Sequence, residues 1–408
     1  MRLKSTAALF LVLATSATLA AEWVQVYVRD VPVERLTANL ERELIPTPKD
    51  VGILINLARV HAMAFARKRD SVPSAVRNGL KPGPERAPWL GYGAPAHALP
   101  EVRTGNDPKA LAAARVQLDK AIARYREALA VDSQHLVARL GLGWCLIQAG
   151  DRPGAVAALR DVVARAWPLD QKPAHPPFAG FRLLTEEAAH YLVPLLDPVQ
   201  DGAEIEDLKR KVGELERHGR MITPIAIPLE DGLAATDVED RSRAVAFDAD
   251  GSGLPKRWTW IRPNAAWLVF DRYNERRITS GLQLFGSVTF WLFWENGYGA
   301  LRSLDDNGDG SLAGRELEGL ALWHDRNSNG VSERGEVRPV AAWGITSLSC
   351  AYRHDPGHPD EIAFSPQGVM FANGTVRPTF DLILRQQLAL QSPKGPTTGL
   401  VAPITNNH

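Results

Sequence analysis

Apolar residues recur every three or four positions from about residue 50 to residue 219, with Pro and Gly at the breaks between these stretches. This spacing places apolar side chains on one face of a helix, so the first half of the chain is predicted to be helical. The second half carries acidic, Asn- and Gly-rich segments instead. The pattern therefore predicts a helical domain over residues 22–219 and a second domain over residues 220–390.

One spacing of apolar residues occurs twice within the helical stretch, 34 residues apart. The repeated positions are Ala121, Tyr125 and Ala128 in the first copy and Ala155, Leu159 and Val162 in the second. A period of this length is typical of stacked helix pairs, in which small residues such as Gly143 let two helices approach closely. The region resembles a tetratricopeptide repeat, from which it departs at Arg139 and Ser133.

Two further helix pairs extend this array. The stretch VGILINLARVHAMAFA, residues 51–66, is predicted to start an earlier unit whose second helix is displaced by a Pro- and Gly-rich insertion, about residues 69–108. A weaker pair is predicted over residues 182–197 and 203–219. The resemblance implies a short array whose shallow groove binds a peptide or partner protein; alternatively, the helices only support the rest of the chain.

The two ends of the chain carry signals of a different kind. Arg2 and Lys4 precede an apolar run that ends in small residues, which predicts a secretory signal peptide over residues 1–21. The protein is therefore expected to be exported from a bacterium, to the periplasm or the medium, and to have no membrane span after cleavage. Near the other end, residues 361–384 alternate around Asn373-Gly374 and predict a β-hairpin, followed by a disordered tail over residues 391–408.

The charge balance argues against binding to nucleic acid or to an anionic membrane, and the cysteine count bears on disulfide formation. Lys plus Arg and Asp plus Glu are both 47, so the chain as a whole has no field that would hold nucleic acid or an anionic membrane. The two cysteines, Cys145 and Cys350, lie in different regions; one disulfide is possible, but buried free thiols are expected. Seven of the eleven tryptophans fall between Trp258 and Trp343, where they form either a domain core or a sugar-binding platform.

Two segments of twelve residues repeat one pattern of oxygen-bearing side chains. The candidate ligands are Asp305, Asn307, Asp309, Ser311 and Glu316 in the first segment and Asp325, Asn327, Asn329, Val331 and Glu336 in the second. Calcium prefers six to eight oxygen ligands, and short side chains at alternate positions, a turn-forming Gly, a main-chain carbonyl and a closing Glu supply them. The pattern therefore predicts two Ca²⁺ sites, and magnesium is disfavoured; the alternative is a pair of ordinary Asn-Gly turns without metal.

These segments resemble EF-hand calcium loops, and residues 240–352 resemble the EF-hand-like module of exported bacterial proteins of the haemolysin type. The resemblance implies that GRELEGLALW, residues 314–323, is a helix shared by both loops. It also implies a further acidic loop with Asp248, Asp250 and Ser252 as ligands. Residues 271–283 match another loop of the module, but Gln283 replaces its Glu and larger residues replace its glycines, so this loop is predicted to have lost its metal.

An enzymatic alternative rests on AVAFDADGSG, residues 244–253, which resembles the first motif of haloacid-dehalogenase-type phosphatases. Asp248 would be its nucleophile and Asp250 its acid, with magnesium. The residues that follow lack the alternation of strands and helices that a doubly wound sheet requires. Motifs of zinc proteases, serine hydrolases and nucleotide-binding loops are absent from the sequence.

The sequence as a whole predicts a mainly α protein: a helical repeat domain followed by a C-terminal α+β, EF-hand-like calcium-binding domain. The predicted function is that of an exported, non-enzymatic protein in which Ca²⁺ stabilises the second domain and the helical repeats bind a protein or peptide. A calcium-dependent glycan- or cell-surface-binding protein is the first alternative, and a metal-dependent phosphatase the second.

Overall fold

A computed structural model describes residues 31–72, 107–171, 184–215, 219–251, 255–292 and 294–388. The predicted signal peptide, most of the insertion, Ser252 and the predicted tail lie outside these residues. Among the described residues, no helix has both the length and the apolar character needed to cross a bilayer.

The first half of the described chain is helical, as predicted. Its helices are α1 (Val33–Leu44), α2 (Val51–Arg67), α3 (Pro108–Val131), α4 (Leu136–Ala149), α5 (Arg152–Asp170), α6 (Leu184–Leu192) and α7 (Gly202–Leu215). Local signals fix several ends: Asp107 caps α3 by accepting the N–H of Lys109, and Gly150 ends α4 in the left-handed conformation.

The repeated apolar positions pack as the 34-residue period predicts. All six are fully buried between α3, α4 and α5. A Cβ on Gly143 would lie 3.1 Å from Leu159, so this glycine does let α4 approach α5. Gly141 is tighter still, because a Cβ there would lie 2.2 Å from the ring of Tyr125.

The first helix of each pair is buried more completely than the second. In α2, 14 of 17 residues are buried, and in α6, 8 of 9. By contrast, α3 buries 6 of its 24 residues and α5 6 of its 19. The exposed surface of the helical array is therefore provided mainly by the second helices.

The second half is built mostly from short strands. Those of its main sheet are β4 (Ile225–Pro228), β7 (Ala265–Phe270), β8 (Ser311–Ala313), β9 (Leu320–Trp323), β10 (Val337–Pro339), β11 (Ile345–Ser349), β12 (Arg353–His354), β13 (Ala363–Phe371) and β14 (Val376–Asp381). Two-stranded pairings join β1 (Val31–Pro32) to β2 (Ser71–Val72), β3 (Met221–Ile222) to β15 (Leu384–Arg385), and β5 (Glu239–Phe247) to β6 (Lys256–Ile261). The short helices are α8 (Ala235–Val238) and α9 (Gly297–Arg302).

The main sheet is antiparallel and has the order β10-β9-β7-β4-β14-β13-β11-β8, with β12 beside β13. It curls into a half-barrel over about residues 228–385. The prediction of a mainly α protein with an EF-hand-like second domain is therefore wrong for this half. The predicted hairpin around Asn373-Gly374 is confirmed as β13 and β14.

The predicted shared helix between the two candidate loops is also wrong. Residues 314–317 form one 3-10 turn, Gly319 then takes a φ of 87°, and Leu320–Trp323 form strand β9. All four residues of β9 are buried between β7 and β10. A short run that is apolar on both faces suits a central strand, whereas an exit helix of an EF-hand would expose one face to solvent.

Tryptophans form the centre of the sheet core. Trp260 packs edge-to-face on Trp267 and Trp323, with ring centroids 5.4 and 5.5 Å apart. These three rings and Trp258 are at most 1% exposed. The prediction that tryptophans build the core is confirmed for these residues, and they offer no platform for a sugar.

The two cysteines are buried free thiols, as predicted. Cys145 lies in α4, and Cys350 follows β11 beside the first candidate loop. Burial raises the pKa of the Cys350 thiol to about 12, so it is protonated at neutral pH.

One buried acid in the sheet gives a test of this packing. Burial raises the pKa of Asp381 well above its usual range, although the N–H of Gly297 donates to its Oδ1 at 3.0 Å. A raised folded-state pKa makes protonation favour the folded state, and this contribution is lost as pH rises through that pKa. Asp381→Asn removes the ionisation but keeps the acceptor oxygen. We expect the free energy of unfolding of the variant, relative to the wild type, to rise from about pH 4 to neutral pH by at most about 1.4 kcal/mol per pH unit, and its melting temperature to rise with it.

Thermal unfolding monitored by circular dichroism across this pH range measures the difference. A difference between the two proteins that stays constant with pH would contradict burial of an ionisable Asp381.

Candidate metal centre

The two candidate loops, residues 305–316 and 325–336, are closed by their first residue in the same way. Asp305 Oδ2 accepts the N–H of Gly310 at 2.9 Å, and Asp325 Oδ2 accepts the N–H of Gly330 at 2.8 Å. In each case the donor lies five residues after the acid. A carboxylate that accepts main-chain N–H groups in this way fixes the turn of the loop around itself.

The closing Glu of each loop folds back across it with both carboxylate oxygens. One oxygen accepts the N–H of the second residue of the loop, and the other accepts the N–H of the ninth. The donors are Asp306 N (2.8 Å) and Ala313 N (3.0 Å) for Glu316, and Arg326 N (3.1 Å) and Glu333 N (3.0 Å) for Glu336. Both glutamates therefore point into their loops and not toward solvent.

The inner side chains of the two loops also match position by position. The third and fifth residues of each loop accept an N–H two residues further on. The bonds are Asn307 to Asp309 N (2.8 Å), Asp309 to Ser311 N (2.9 Å), Asn327 to Asn329 N (3.2 Å) and Asn329 to Val331 N (2.7 Å). All ten candidate ligands of the two loops thus lie in one common backbone frame.

The backbone takes a positive φ at the fourth and sixth residues of both loops. The angles are 75° and 84° at Gly308 and Gly310, and 52° and 74° at Ser328 and Gly330. Glycine adopts this conformation without steric cost, which explains the glycines of the sequence pattern. Ser328 adopts it where no glycine is present.

A third loop, residues 271–283, has the same frame without the same side chains. Asp271 accepts the N–H groups of Glu275 and Arg276 at 3.0 and 2.9 Å, and φ is 51° at Asn274 and 55° at Arg276. Its fourth and sixth positions are therefore again left-handed, although an arginine stands where the other loops have Gly. Gln283 Oε1 accepts the N–H of Thr279, so the closing amide is bonded within the loop.

The fourth acidic segment already holds a cation of the protein itself. Asp248 and Asp250 are buried, and the ammonium group of Lys256 contacts the carboxylate of Asp250. Gly251 has a φ of 68°, as the fourth residue of such a loop requires. A metal ion held by Asp248 and Asp250 would have to compete with this lysine.

The strand before Asp248 does not support the phosphatase alternative. β5 pairs antiparallel with β6, and the strand pairings between described residues are all antiparallel. The parallel doubly wound sheet that the resemblance implies is therefore absent from the described part of the chain.

The first and last acids of the two loops are desolvated. Asp305 and Glu316 are 4% and 7% exposed, and Asp325 and Glu336 are each 1% exposed. Burial raises the pKa of Asp325, and N–H groups of Gly330 and Asn329 offset only part of this. Ionisation of Asp325 is therefore less favourable than in water, and a nearby positive charge would offset this cost.

The chemistry of the donor set fits calcium. Each loop offers carboxylate and amide oxygens together with a seventh-residue main-chain carbonyl, which hard cations of this size prefer. In the first loop Asp305, Asn307, Asp309 and Glu316 would supply side-chain oxygens, and Ser311 its carbonyl. Within the described ranges, no three His, Cys, Asp or Glu side chains converge closely enough to hold an ion alone. Amide, main-chain and water oxygens would have to complete each shell.

The first loop is attached to the helical array through α1. Arg35 forms a two-pronged ion pair with Asp306, at 2.8 Å to Oδ1 and 2.9 Å to Oδ2. Asn39 donates to the same carboxylate at 2.9 Å, and Arg42 donates to the carbonyl of Asp305 at 3.1 Å. Although burial acts to raise it, bonds from Arg35 and Asn39 lower the pKa of Asp306 overall.

The second loop contacts other parts of the sheet domain. Trp260 donates to Asp325 Oδ2 at 2.7 Å, and Arg243 donates to the carbonyl of Asn327 at 2.7 Å. Ser332 bonds both the N–H and the carbonyl of Ile278, which lies in the third loop. Each candidate loop therefore joins a different pair of structural elements.

The contacts from α1 were not predicted from the sequence. Arg35, Asn39 and Arg42 are four and three residues apart, so they lie on one polar face of the helix. This spacing is a signal in the sequence, but it does not indicate which distant segment the face contacts.

Two family models match parts of the chain. A model described as SPM domain matches residues 228–385, and a tetratricopeptide repeat model matches residues 112–166. The second match confirms the repeat predicted from the 34-residue period. The first covers both candidate loops, but it does not show that they bind calcium.

One known protein similar to this chain is the iron-regulated protein FrpA of Neisseria meningitidis serogroup C. The two are 32% identical over 136 residues, which make up 32% of this chain and 12% of FrpA. The chain thus spans only a small part of the length of that relative.

The contacts of α1 give a second test. Replacing Arg35 by Gln removes both ion-pair bonds to Asp306 and a 3.1 Å bond to the carbonyl of Leu304. We expect a loss of about 1 kcal/mol, because the pair is two-pronged but Asp306 is half exposed. Unfolding by urea measures this loss, and limited proteolysis should show faster release of the N-terminal helices.

Arg210→Gln is the matched control, because Arg210 pairs with Asp207 and Glu214 of its own helix and lies over the ring of Trp167 in α5, so its contacts stay within the helical array. Equal proteolysis of the two variants would contradict a specific role of Arg35 in joining α1 to the first loop.

Proposed function

We propose that this chain is an exported, calcium-stabilised interaction protein, with a binding role and not a catalytic one. The observation that carries the calcium proposal is the common frame of the two loops. Each loop has a buried first acid and a buried closing Glu, and oxygen-bearing side chains stand at alternate positions after the first acid. Ordinary turns require neither the closing Glu nor its return across the loop.

Charge supports the proposal. The first loop contains Asp305, Asp309 and Glu316. Among the described residues, no cationic side chain lies within ion-pair distance of these three carboxylates. In the second loop, Arg326 lies 3.7 Å from Glu336 but is more than half exposed. A divalent cation would offset the repulsion within each loop.

The helical array supplies the interaction part of the proposal. A tetratricopeptide-type repeat fits a protein partner. Because α2 and α6 are almost entirely buried, such a partner would contact the second helices or the junction with the sheet domain. Calcium in the first loop would hold that junction in place, since α1 bonds directly to the loop.

Calorimetric titration of the metal-free protein with CaCl₂ tests the two sites. We expect two sites in the wild type, one in Glu316→Gln, one in Glu336→Gln and none in the double variant, because a Gln cannot clamp calcium with two charged oxygens. At a calcium concentration about 100 times the Kd, each site should stabilise the folded protein by roughly 2.7 kcal/mol.

Glu275→Gln is the matched control, because Glu275 is an exposed acid in the third loop, which is predicted to hold no metal. This variant should keep both sites. Unchanged binding in the double variant Glu316→Gln/Glu336→Gln would show that the two loops are not the calcium sites.

A further inference from the structure

A polar groove lies where α1, the first candidate loop and the start of the third loop meet. Its volume is about 700 Å³, within the range of ligand-binding clefts. Arg35 of α1 forms one wall, Arg272 and Tyr273 form a second, and residues 313–319 form a third. Parts that are distant in sequence therefore build one concave surface.

Most acids of the groove already have partners. The carboxylate of Asp306 is held by Arg35 and Asn39, and that of Glu316 accepts main-chain N–H groups of its own loop. Glu318 is the remaining carboxylate in the lining, and it has no side-chain bond to any described residue.

Two guanidinium groups of the lining have no partner. The guanidinium groups of Arg272 and Arg315 form no hydrogen bond or ion pair with any residue that the structure describes. Arg272 is half-buried, and its backbone passes close to Gly319, where a Cβ would lie 3.1 Å from the Arg272 Cα. The formal charge of the lining is balanced, with three arginines and three acids, but two of its guanidinium groups have no acceptor among the described residues.

We propose that this groove binds an acidic polypeptide segment, whose carboxylates pair with Arg272 and Arg315. Guanidinium groups bind carboxylates through two parallel N–H bonds, which gives both affinity and orientation. The lining is mostly charged and amide side chains, so the ligand is hydrophilic. A polypeptide is favoured over other acidic ligands because α1, which lines the groove, packs on α2 of the helical array, and the repeat within that array fits a protein partner.

The inference deepens the proposed function, because it gives the chemistry of the partner, and part of it rests on the calcium proposal. Glu316 lines the groove and is also a candidate ligand of the first loop. Calcium there would give the otherwise balanced lining a net positive charge beside the two arginines. Acidic peptide should therefore bind more tightly in calcium than in chelator, while the arginine contacts remain in both conditions.

Fluorescence anisotropy of a fluorescein-labelled hexaglutamate peptide, titrated with the full chain, tests the site. We expect saturable binding that is weakened about tenfold or more in Arg272→Gln/Arg315→Gln, because two charge-assisted pairs are lost. Glu318→Gln should tighten binding a few-fold, since it removes a repelling carboxylate. Melting temperatures of both variants should match that of the wild type, because the replaced side chains have no partner to lose.

The matched control is Arg69→Gln/Arg126→Gln, which removes two exposed, unpaired arginines outside the groove. It should bind the peptide as the wild type does. Equal weakening of both double variants would show attraction to overall charge only and would overturn the proposal. Absence of binding to hexaglutamate, or tighter binding of trigalacturonate in the same groove, would also overturn it.

Calcium titration of the same proteins without peptide separates the two proposals. Peptide binding that depends on Arg272 and Arg315, in a protein that takes up no calcium, would support the groove and contradict the calcium sites. Two calcium sites with no peptide binding would support the calcium sites and contradict the groove.

Discussion

The closed form of the first loop is the constraint on which the arrangement of the two halves depends. Asp305 and Glu316 lie at opposite ends of a twelve-residue segment and accept main-chain N–H groups of the residues between them, so the segment has one compact shape. That shape presents the Asp306 carboxylate and the Asp305 carbonyl to α1. If the loop opened, α1 would lose its acceptors together, and the walls of the polar groove would separate.

The two candidate loops share one backbone frame but contact different parts of the protein. The first loop joins the sheet domain to α1, whereas the second joins Trp260 and Arg243 of the β5–β6 region to the third loop. An ion in the first loop would thus affect the position of the helices. An ion in the second would affect only the internal order of the sheet domain.

Local patterns predicted what local forces determine. The 34-residue period predicted buried positions of α3 and α5, and Asn373-Gly374 located the β13–β14 turn. The loop pattern placed acids, amides and glycines where the frame uses them. The third loop shows that the frame does not require the full set of candidate ligands, because Asp271 closes it while Arg276 adopts the glycine conformation.

Long-range pairing was not predicted, because nothing in a short run identifies its partner strand. Leu320–Trp323 belong to a strand because β7 and β10 lie on either side, with Trp323 opposite Trp267. In the same way, the polar face of α1 contains hydrogen-bond donors, but its sequence does not indicate which loop provides their acceptors. The wrong expectation of a shared helix arose from applying a family resemblance to this run without knowledge of its neighbours.

The order of the sheet also bears on how the chain is made. β4 lies at the centre, beside β7, which follows soon, and beside β14, which comes near the end, with Ala226 opposite Phe380. During synthesis, β4 leaves the ribosome long before β14 exists, so one edge of this fully buried strand stays unpaired until then. Non-local pairing of this kind slows folding and exposes strand edges to wrong partners. The pairing of β4 is therefore completed only after β14 has emerged.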